Sequence, residues 1–512
     1  MPEGANTPNR YVMHSMTISN NEGYQLDIKQ IYQDFMISES IYSNHIGGYV
    51  TVIDGSNVFN RIGFTGQEYI RIHFSGIEGI DTEVPFEEQV DITCRIHKVS
   101  AMKKTTDGNT RQYKVYFISP QSIASKRKRL SKAYSGSLSD ISAKILKNEL
   151  GIQDSSEKTT DGRWMSVRQQ SEPQNYHIVV PNYTVNNTLD WLVHNMSVEE
   201  GTTRNSFYLY QTARNGYRLH TIEDMMGIKY LNGEVVFGEP LGGTGDKDAT
   251  YDDGEGQGEE GRPGPGMDIY DINQVEMFNT EQNTTDGVYS GKRITYNPTL
   301  KLYQEIEYSI LGQEEYKLNG DGEWEGGTHI SKAPPFRIGN ESYRQPSDGT
   351  EGEGDMGIAM TIEGLESIIT YKDAVVDFGY EPQFNINGVN KNTISLHQDT
   401  GLHNFRRNSV KKILDTNTMN IVISGRTNIN AGMVINLDLK QPIPGGEEEP
   451  EILQNGEMLI TALSFQGTKD ELVCQLTCST DGAEVNIDGY DAPPVPPNEG
   501  LEGQMTSWQA QQ

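Results

Sequence analysis

Two stretches of this chain, more than three hundred residues apart, read as the same object. Residues 91–119, DITCRIHKVSAMKKTTDGNTRQYKVYFIS, and residues 457–477, EMLITALSFQGTKDELVCQLT, each run strand, polar turn, strand. The text before each hairpin matches as well. GFTGQEYIRIHF and an acidic loop precede the first; TNINAGMVINLDL and an acidic loop precede the second. Each copy gives a glycine just before a strand, then a loop, then the long hairpin. Internal repetition restricts the fold more than any single motif, because one β unit written twice calls for two cores of one type. The alternative stays open at this point: antiparallel barrels draw on few strand and turn patterns, so likeness can arise by chance.

At 512 residues the chain is too long for one core, and roughly 100–200 residues per domain suggests about three or four. Residues 11–119 read as all-β. EYIRIHF alternates strictly, with Ile70, Ile72 and Phe74 on one face and Tyr69, Arg71 and His73 on the other. Tyr49 to Ile53 forms a short strand ending at an Asp-Gly turn, and the long hairpin turns around Asp107-Gly108. After Pro120 the period changes. SGSLSDISAKILKNELGI predicts a helix capped by Ser137, with Leu138, Ile141, Ile145 and Leu146 as its apolar stripe and Gly151 as its stop. A second helix is predicted from cap Thr184 to Gly201, its face made by Val185, Leu189, Leu192, Val193 and Met196. SFYLYQTARNGYRLHTI then predicts a hairpin with a type I′ turn at Asn215-Gly216. A short helix is expected through Phe405, Val410 and Leu414, and residues 418–480 are again β.

The net charge of −30 excludes general affinity for nucleic acid, which needs a basic face to displace counterions, and docking on an anionic membrane. Self-repulsion at this charge favours solubility. The opening MPEGANTPNRYVMHS lacks a signal pattern, and no run of about 18 apolar residues occurs. A soluble protein made in a cytoplasm is expected. Cys94, Cys474 and Cys478 make no disulfide framework. Cys474 and Cys478 share one strand face with Cα atoms ~13 Å apart, so all three read as buried small hydrophobes.

Catalytic and ligand signatures are sparse. Gly256, Gly258 and Gly261 match G-x-G-x-x-G literally, but no strand precedes and no helix follows. GVYSGKR, residues 287–293, is one residue short of a phosphate loop and has Arg293 where a hydroxyl must stand. The ten histidines are scattered, without zinc spacing, and no nucleophile motif occurs. The acidic stretches lack the ligand order of a calcium loop. The basic run Lys126 to Arg129 reads as a surface segment meeting an acidic patch of this chain or a neighbour. No catalytic, metal or cofactor-binding residue is assigned.

A resemblance emerges from the order of these stretches. FMISESIYSNHIGGYVTVIDGSNVFNRI, GQEYIRIHF and HKVSAMKKTTDGNTRQYKVYFISPQSI come first; SLSDISAKIL, PNYTVNNTLDWLVHNM and GRTNINAGMVINLDL follow. In this succession the chain resembles the central baseplate hub proteins of contractile-tailed phages. The resemblance spans about residues 10–235, 268–310 and 402–482, and it rests on order rather than on one sharp motif. It implies a mainly β fold with α+β: two similar antiparallel β-barrel (tube-type) domains, an α+β domain and an inserted domain. The expected division is 1–119 first barrel, 120–235 α+β, 240–266 flexible acidic linker, 267–285 with 417–485 second barrel, 286–416 insertion and 486–512 Pro-rich extended tail.

The resemblance also implies a non-enzymatic, cofactor-free homotrimer in the virion tail baseplate, assembled in the host cytoplasm. Its partners would be tail-tube or tube-initiator proteins above, a central spike below and other baseplate proteins around it. DNA would pass through the lumen without sequence-specific binding, and this chain would not enter a membrane. Three rivals are weighed beside it. A hub-like module of a type VI secretion or other contractile injection particle would usually continue into a long β-helix. A tail-associated cell-wall hydrolase would need a cleft with a shifted acid. A carbohydrate adhesin would expose aromatic loop tips, for which only Trp324 and Trp508 stand in expected loops.

Overall fold

Alternation along residues 32–40 sets the architecture. Tyr32, Phe35, Ile37 and Glu39 point inward while their neighbours stay half-buried or exposed, the mark of a strand with one face on a core. The computed structural model describes residues 11–78, 82–83, 88–104, 110–154, 164–167, 176–196, 198, 206–228, 236–238, 269–276, 279–288, 290–297, 302–309, 369–373, 383–386, 389–392, 400–415, 417–442, 448–450 and 456–480. The Asp107-Gly108 turn, the 240–266 linker with its glycine motif, the 486–512 tail, Trp324 and Trp508 lie outside them.

The first β unit consists of β1 (Tyr11–Ser19), β2 (Gln25–Asp27), β3 (Tyr32–Ser40), β4 (Gly47–Asp54), β5 (Tyr69–Glu78), β6 (Thr82–Glu83), β7 (Val90–Lys104) and β8 (Arg111–Ile118). A short helix, α1 (Val58–Ile62), lies between β4 and β5. The Asp-Gly turn expected there is this helix's lead-in. Asp54 takes backbone N–H groups from Ser56, Val58 and Phe59 on its two carboxylate oxygens, each at 2.9 Å, which satisfies the donors a helix start leaves open.

The α+β part holds α2 (Pro120–Arg127), β9 (Arg129–Leu130), β10 (Ala133–Gly136), α3 (Leu138–Leu150), β11 (Gln153–Asp154), β12 (Trp164–Val167), β13 (Tyr176–Val179), β14 (Tyr183–Thr184), α4 (Val185–His194), β15 (Phe207–Thr212), β16 (Gly216–Thr221) and α5 (Ile222–Met226). Ser137 and Thr184 cap α3 and α4 as expected, accepting from Asp140 N and Asn187 N at 3.2 Å. Two details differ from the sequence reading. Helix α4 stops at His194, well before Gly201, where the Asn195 amide donates back to Trp191 O at 2.7 Å. The β15–β16 turn is not type I′: Gly216 has φ +64 but Asn215 does not enter the left-handed region. Thr212 pairs with Gly216, which makes a three-residue loop ending in a glycine bulge.

Next come β17 (Val236–Gly238), β18 (Ile269–Glu276), α6 (Thr280–Thr285), β19 (Ser290–Asn297), β20 (Leu302–Ser309), β21 (Ile369–Asp373), β22 (Gln383–Ile386), β23 (Val389–Asn392) and α7 (Thr400–Leu414). The rejected phosphate-loop stretch runs from the end of α6 into β19, a strand rather than the helix such a loop needs. The last strands are β24 (Asn417–Ser424), β25 (Val434–Asp438), β26 (Lys440–Pro442), β27 (Glu448–Pro450), β28 (Gly456–Thr468) and β29 (Leu472–Thr480).

Strand pairing repeats within one chain. The first unit runs β3-β4-β8-β7-β5-β1, and the second runs β18-β24-β29-β28-β25-β17. The first five strands of each are antiparallel to one another in order. The sixth differs: β1 is antiparallel to β5, whereas β17 is parallel to β25. Irregularities repeat too. A bulge between Tyr32 and Asp34 has its counterpart between Ile269 and Asp271. A bulge between Ile96 and Lys98 has its counterpart between Ile460 and Ala462. Bulges fix register and bend strands, so their recurrence distinguishes this pairing scheme from a generic meander.

One seam joins the two units: the second half of β28 pairs antiparallel with β3, from Ala462↔Ser40 to Thr468↔Asp34. The cores merge across it. Phe35 and Phe74 have ring centroids 5.3 Å apart, and Phe74 meets Phe465 at 5.8 Å. Phe35 also packs against Gly467, where an added Cβ would sit 2.2 Å from its ring. Cys94, Cys474 and Cys478 are free thiols buried in this shared core; burial pushes the Cys94 and Cys474 thiols up to about 12.

Candidate assembly junction

The seam continues into a place where the two β units and the α+β part meet. Three segments converge: the β3–β4 connection Ile41–Ile46, the β15–β16 hairpin, and the loop before β25. A separate apolar cluster marks the spot, with Ile41 from the first unit, Tyr208, Tyr210, Ile222 and Met225 from the α+β part, and Val434 and Leu459 from the second unit.

Glu39, at the end of β3 beside these segments, is 2% exposed. One carboxylate oxygen accepts from Ala213 N at 2.6 Å and the other from Ala431 N at 2.7 Å. A single side chain of the first unit thus holds the backbone of both other parts. Burial is the largest influence on its proton; the two N–H groups and the Arg214 charge oppose it, and the pKa rises to about 7.

The loop TNIN before β25, read from sequence only as a lead-in to a strand, is buried throughout. Such a polar loop is tolerated in a core only if its groups are paired. Thr427 Oγ1 accepts from Gly76 N at 3.1 Å. With its amide oriented to suit its neighbours, the Asn430 side-chain oxygen accepts from Arg214 Nε at 3.0 Å and Nη2 at 2.6 Å. Gly432, at φ +85, donates to Ile460 O at 2.8 Å and passes under Tyr210; a Cβ there would meet the phenol oxygen at 2.4 Å.

The β3–β4 connection is anchored as firmly. Ile41 N donates to Thr461 O at 3.0 Å, and Gln211 N donates to Ser43 O at 3.3 Å. Asn44 Nδ2 donates to Asn186 Oδ1 at 2.9 Å, and Tyr42 OH donates to Asp415 Oδ1 at 2.7 Å. Lys411 lies 4.8 Å above the Tyr42 ring and Arg407 4.9 Å from the Tyr208 ring. His45 stays neutral at neutral pH, because burial, then the Lys126 charge, brings its pKa down to about 4.

This chemistry holds parts together. The Glu39 carboxylate faces two backbone donors. Among the described residues no group of three His, Cys, Asp or Glu side chains gathers to hold a metal, and no described helix is long and apolar enough to cross a membrane. His14 and His73 do come together, with rings 4.4 Å apart, but their Nε2 atoms bond to Ser75 and Gln89. In the basic run, Lys128 pairs with Glu149 at 2.5 Å, joined there by Lys132 at 2.6 Å. An acid of the same chain therefore meets it.

Fold and junction together define a mainly antiparallel β protein with two units of like strand order joined directly and an α+β part bonded to both. No protein-family model and no curated protein sequence matches the chain. Among solved structures, the tail protein from Neisseria meningitidis MC58 is similar over 92% of this chain and 97% of its own, at 9% identity and a TM-score of 0.47. The 43 kDa tail protein of prophage MuSo2 from Shewanella oneidensis is similar over 91% and 98%, at 9% identity and a TM-score of 0.45. An E. coli component of the type VI secretion system is similar over 92% and 76%, at 8% identity and a TM-score of 0.37.

Proposed function

We propose that this chain is a structural component of a tail or contractile injection machine, and specifically the hub of a phage tail baseplate. Three copies form a ring with six β units around a channel. The carrying observation is the repeated strand order with its repeated bulges. A closed ring of three identical chains has threefold symmetry, and an internally duplicated unit gives its backbone an approximate sixfold one. Such a ring can face a sixfold tube on one side and a threefold spike on the other. The domain division expected from the sequence is retained in this reading, with the α+β part and residues 286–416 outside the ring of β units.

The role is mechanical and catalysis is not part of it. The net charge of −30 suits a channel through which DNA passes without sticking. The direct test is the mass of the purified full-length chain in solution, followed by imaging of the particle. A trimeric ring that co-purifies with a spike protein is expected. A monomer that clears cell wall in a zymogram would replace this reading with the hydrolase.

A further inference from the structure

Matched by their pairings, the two units differ at two strand edges, each covered in one copy and, among the described residues, without a strand partner in the other. In the seam, β3 and the second half of β28 cover each other. The counterpart of β3 is β18, which among the described residues pairs only with β24. The counterpart of the second half of β28 is Lys98–Lys104 of β7. Among the described residues that segment pairs with β8 on one side and with nothing on the other, because β5 reaches only Val90–Arg95. Burial agrees: residues 101–104 of β7 are exposed, and β18 is exposed at every second position from Asp271 on.

We propose that copies of this chain join head to tail by strand addition, Ser100–Lys104 of one subunit pairing antiparallel with Ile272–Glu276 of the next. The joint repeats the intrachain seam between chains. Transferring the seam register through the shared bulges puts Ser100 opposite Glu276, Lys103 opposite Asn273 and Lys104 opposite Ile272. The charges complement each other: Lys98, Lys103 and Lys104 lie on one strand and Asp271 and Glu276 on the other, with Lys103 diagonal to Asp271 in this register. Exposed apolar side chains sit on both, Met102 at 47% and Val275 at 55%. The basic edge also carries Ala101 at φ +56 inside a register shift. Lysines and a bulge on an open edge discourage indiscriminate pairing, leaving an acidic strand as the fitting occupant. Both partners lie on different surfaces of one chain, so the contact is heterologous and forms a ring when it closes. Only the number of copies rests on the hub reading; the joint follows from the pairings.

The test uses the full-length chain with Lys103→Cys and Asn273→Cys together. Directly opposed residues of an antiparallel pair are about 4.5–5.5 Å apart at Cα, within disulfide reach, and the native thiols are buried. Oxidation is expected to yield a reducible ladder ending at a closed trimer, absent from either single variant. In parallel, Lys103→Glu with Lys104→Glu is expected to raise the half-assembly concentration about tenfold or more with an unchanged circular dichroism spectrum, and Asp271→Lys is expected to restore assembly. A trimer by mass without cross-links overturns the joint and spares the hub reading. Cross-linked chains that never close at three support the joint and remove the hub. A monomer at all concentrations, without cross-links, removes both.

Discussion

The seam between β28 and β3 and its two counterparts, which have no strand partner among the described residues, have one pairing scheme and opposite chemistry. In the seam, Phe35 covers Gly467, Glu39 is buried and Phe465 reaches the other unit's core. At the counterparts, Lys104 stands where Gly467 would be, and β18 presents Asp271 and Glu276 to its surroundings. Backbone topology recurs; side chains differ between the copy of an edge that is closed within the chain and the copy that has no strand partner among the described residues. The outer faces teach the same lesson. Tyr49 and Tyr116 stack at 6.0 Å with Lys114 4.0 Å above Tyr49, while the matching places in the second unit hold Asn420, Thr477 and Gln475, with Thr477 donating to Asn420 at 2.9 Å. In a ring of three chains the backbone would follow an approximate sixfold pattern and the surface chemistry a threefold one.

That contrast can be attacked where it is deepest. Glu39→Ala orphans two buried N–H groups, at about 1–3 kcal/mol each, so a loss of about 2–6 kcal/mol is expected in urea denaturation. A loss under about 0.5 kcal/mol, the scale of an ordinary surface change, would show that the junction does not depend on this carboxylate. The proton on Glu39 gives the next effect. Its folded pKa of about 7 lies above the ordinary 4.5, so the folded state binds the extra proton. The stabilisation it contributes is complete below about pH 4.5 and is lost as pH rises through 7, up to about 3 kcal/mol in all. Glu39→Gln should flatten that part of the pH–stability curve; an unchanged slope would assign it to other groups.

Gly467→Ala comes third. It drives a methyl group into Phe35 and should cost about 1–3 kcal/mol, whereas Lys104→Ala at the exposed counterpart should stay within about 0.5 kcal/mol in the isolated chain. Equal losses would erase the distinction between closed and open edges. The smallest effect is expected from Lys114→Gln, which gives the first unit the second unit's residue. Losing this half-buried cation–aromatic contact should cost about 0.5–1 kcal/mol, read as a shift in the denaturation midpoint without a change in slope.

Much of the β framework was legible because alternation is local. Ile70, Ile72 and Phe74 are buried as their spacing predicts, and Ser137, Thr184 and Gly151 act where capping chemistry places them. The misses share a cause. Asp54 reads as a turn residue until its three N–H partners are seen. Met196 carries the apolar spacing of α4 but is buried beyond the helix end, held by contacts that sequence period does not encode. The buried TNIN loop looks like any polar connection, since its partners Gly76, Arg214 and Tyr210 come from distant parts of the chain. Glu39 is one alternating carboxylate among many acidic residues, and nothing near it in sequence announces Ala213 or Ala431.

The seam has a consequence for synthesis. Ser40 bonds to Thr461 across a separation of 421 residues. At roughly 5–20 residues per second, β3 emerges from the ribosome on the order of 20–80 seconds before β28 can cover it. Throughout that interval a nascent chain displays a strand edge that the finished protein hides, and a neighbour on the same message displays another. Asp34 and Glu39 on β3 then act as temporary guards, charged side chains that make premature pairing between nascent chains costly until the correct strand arrives.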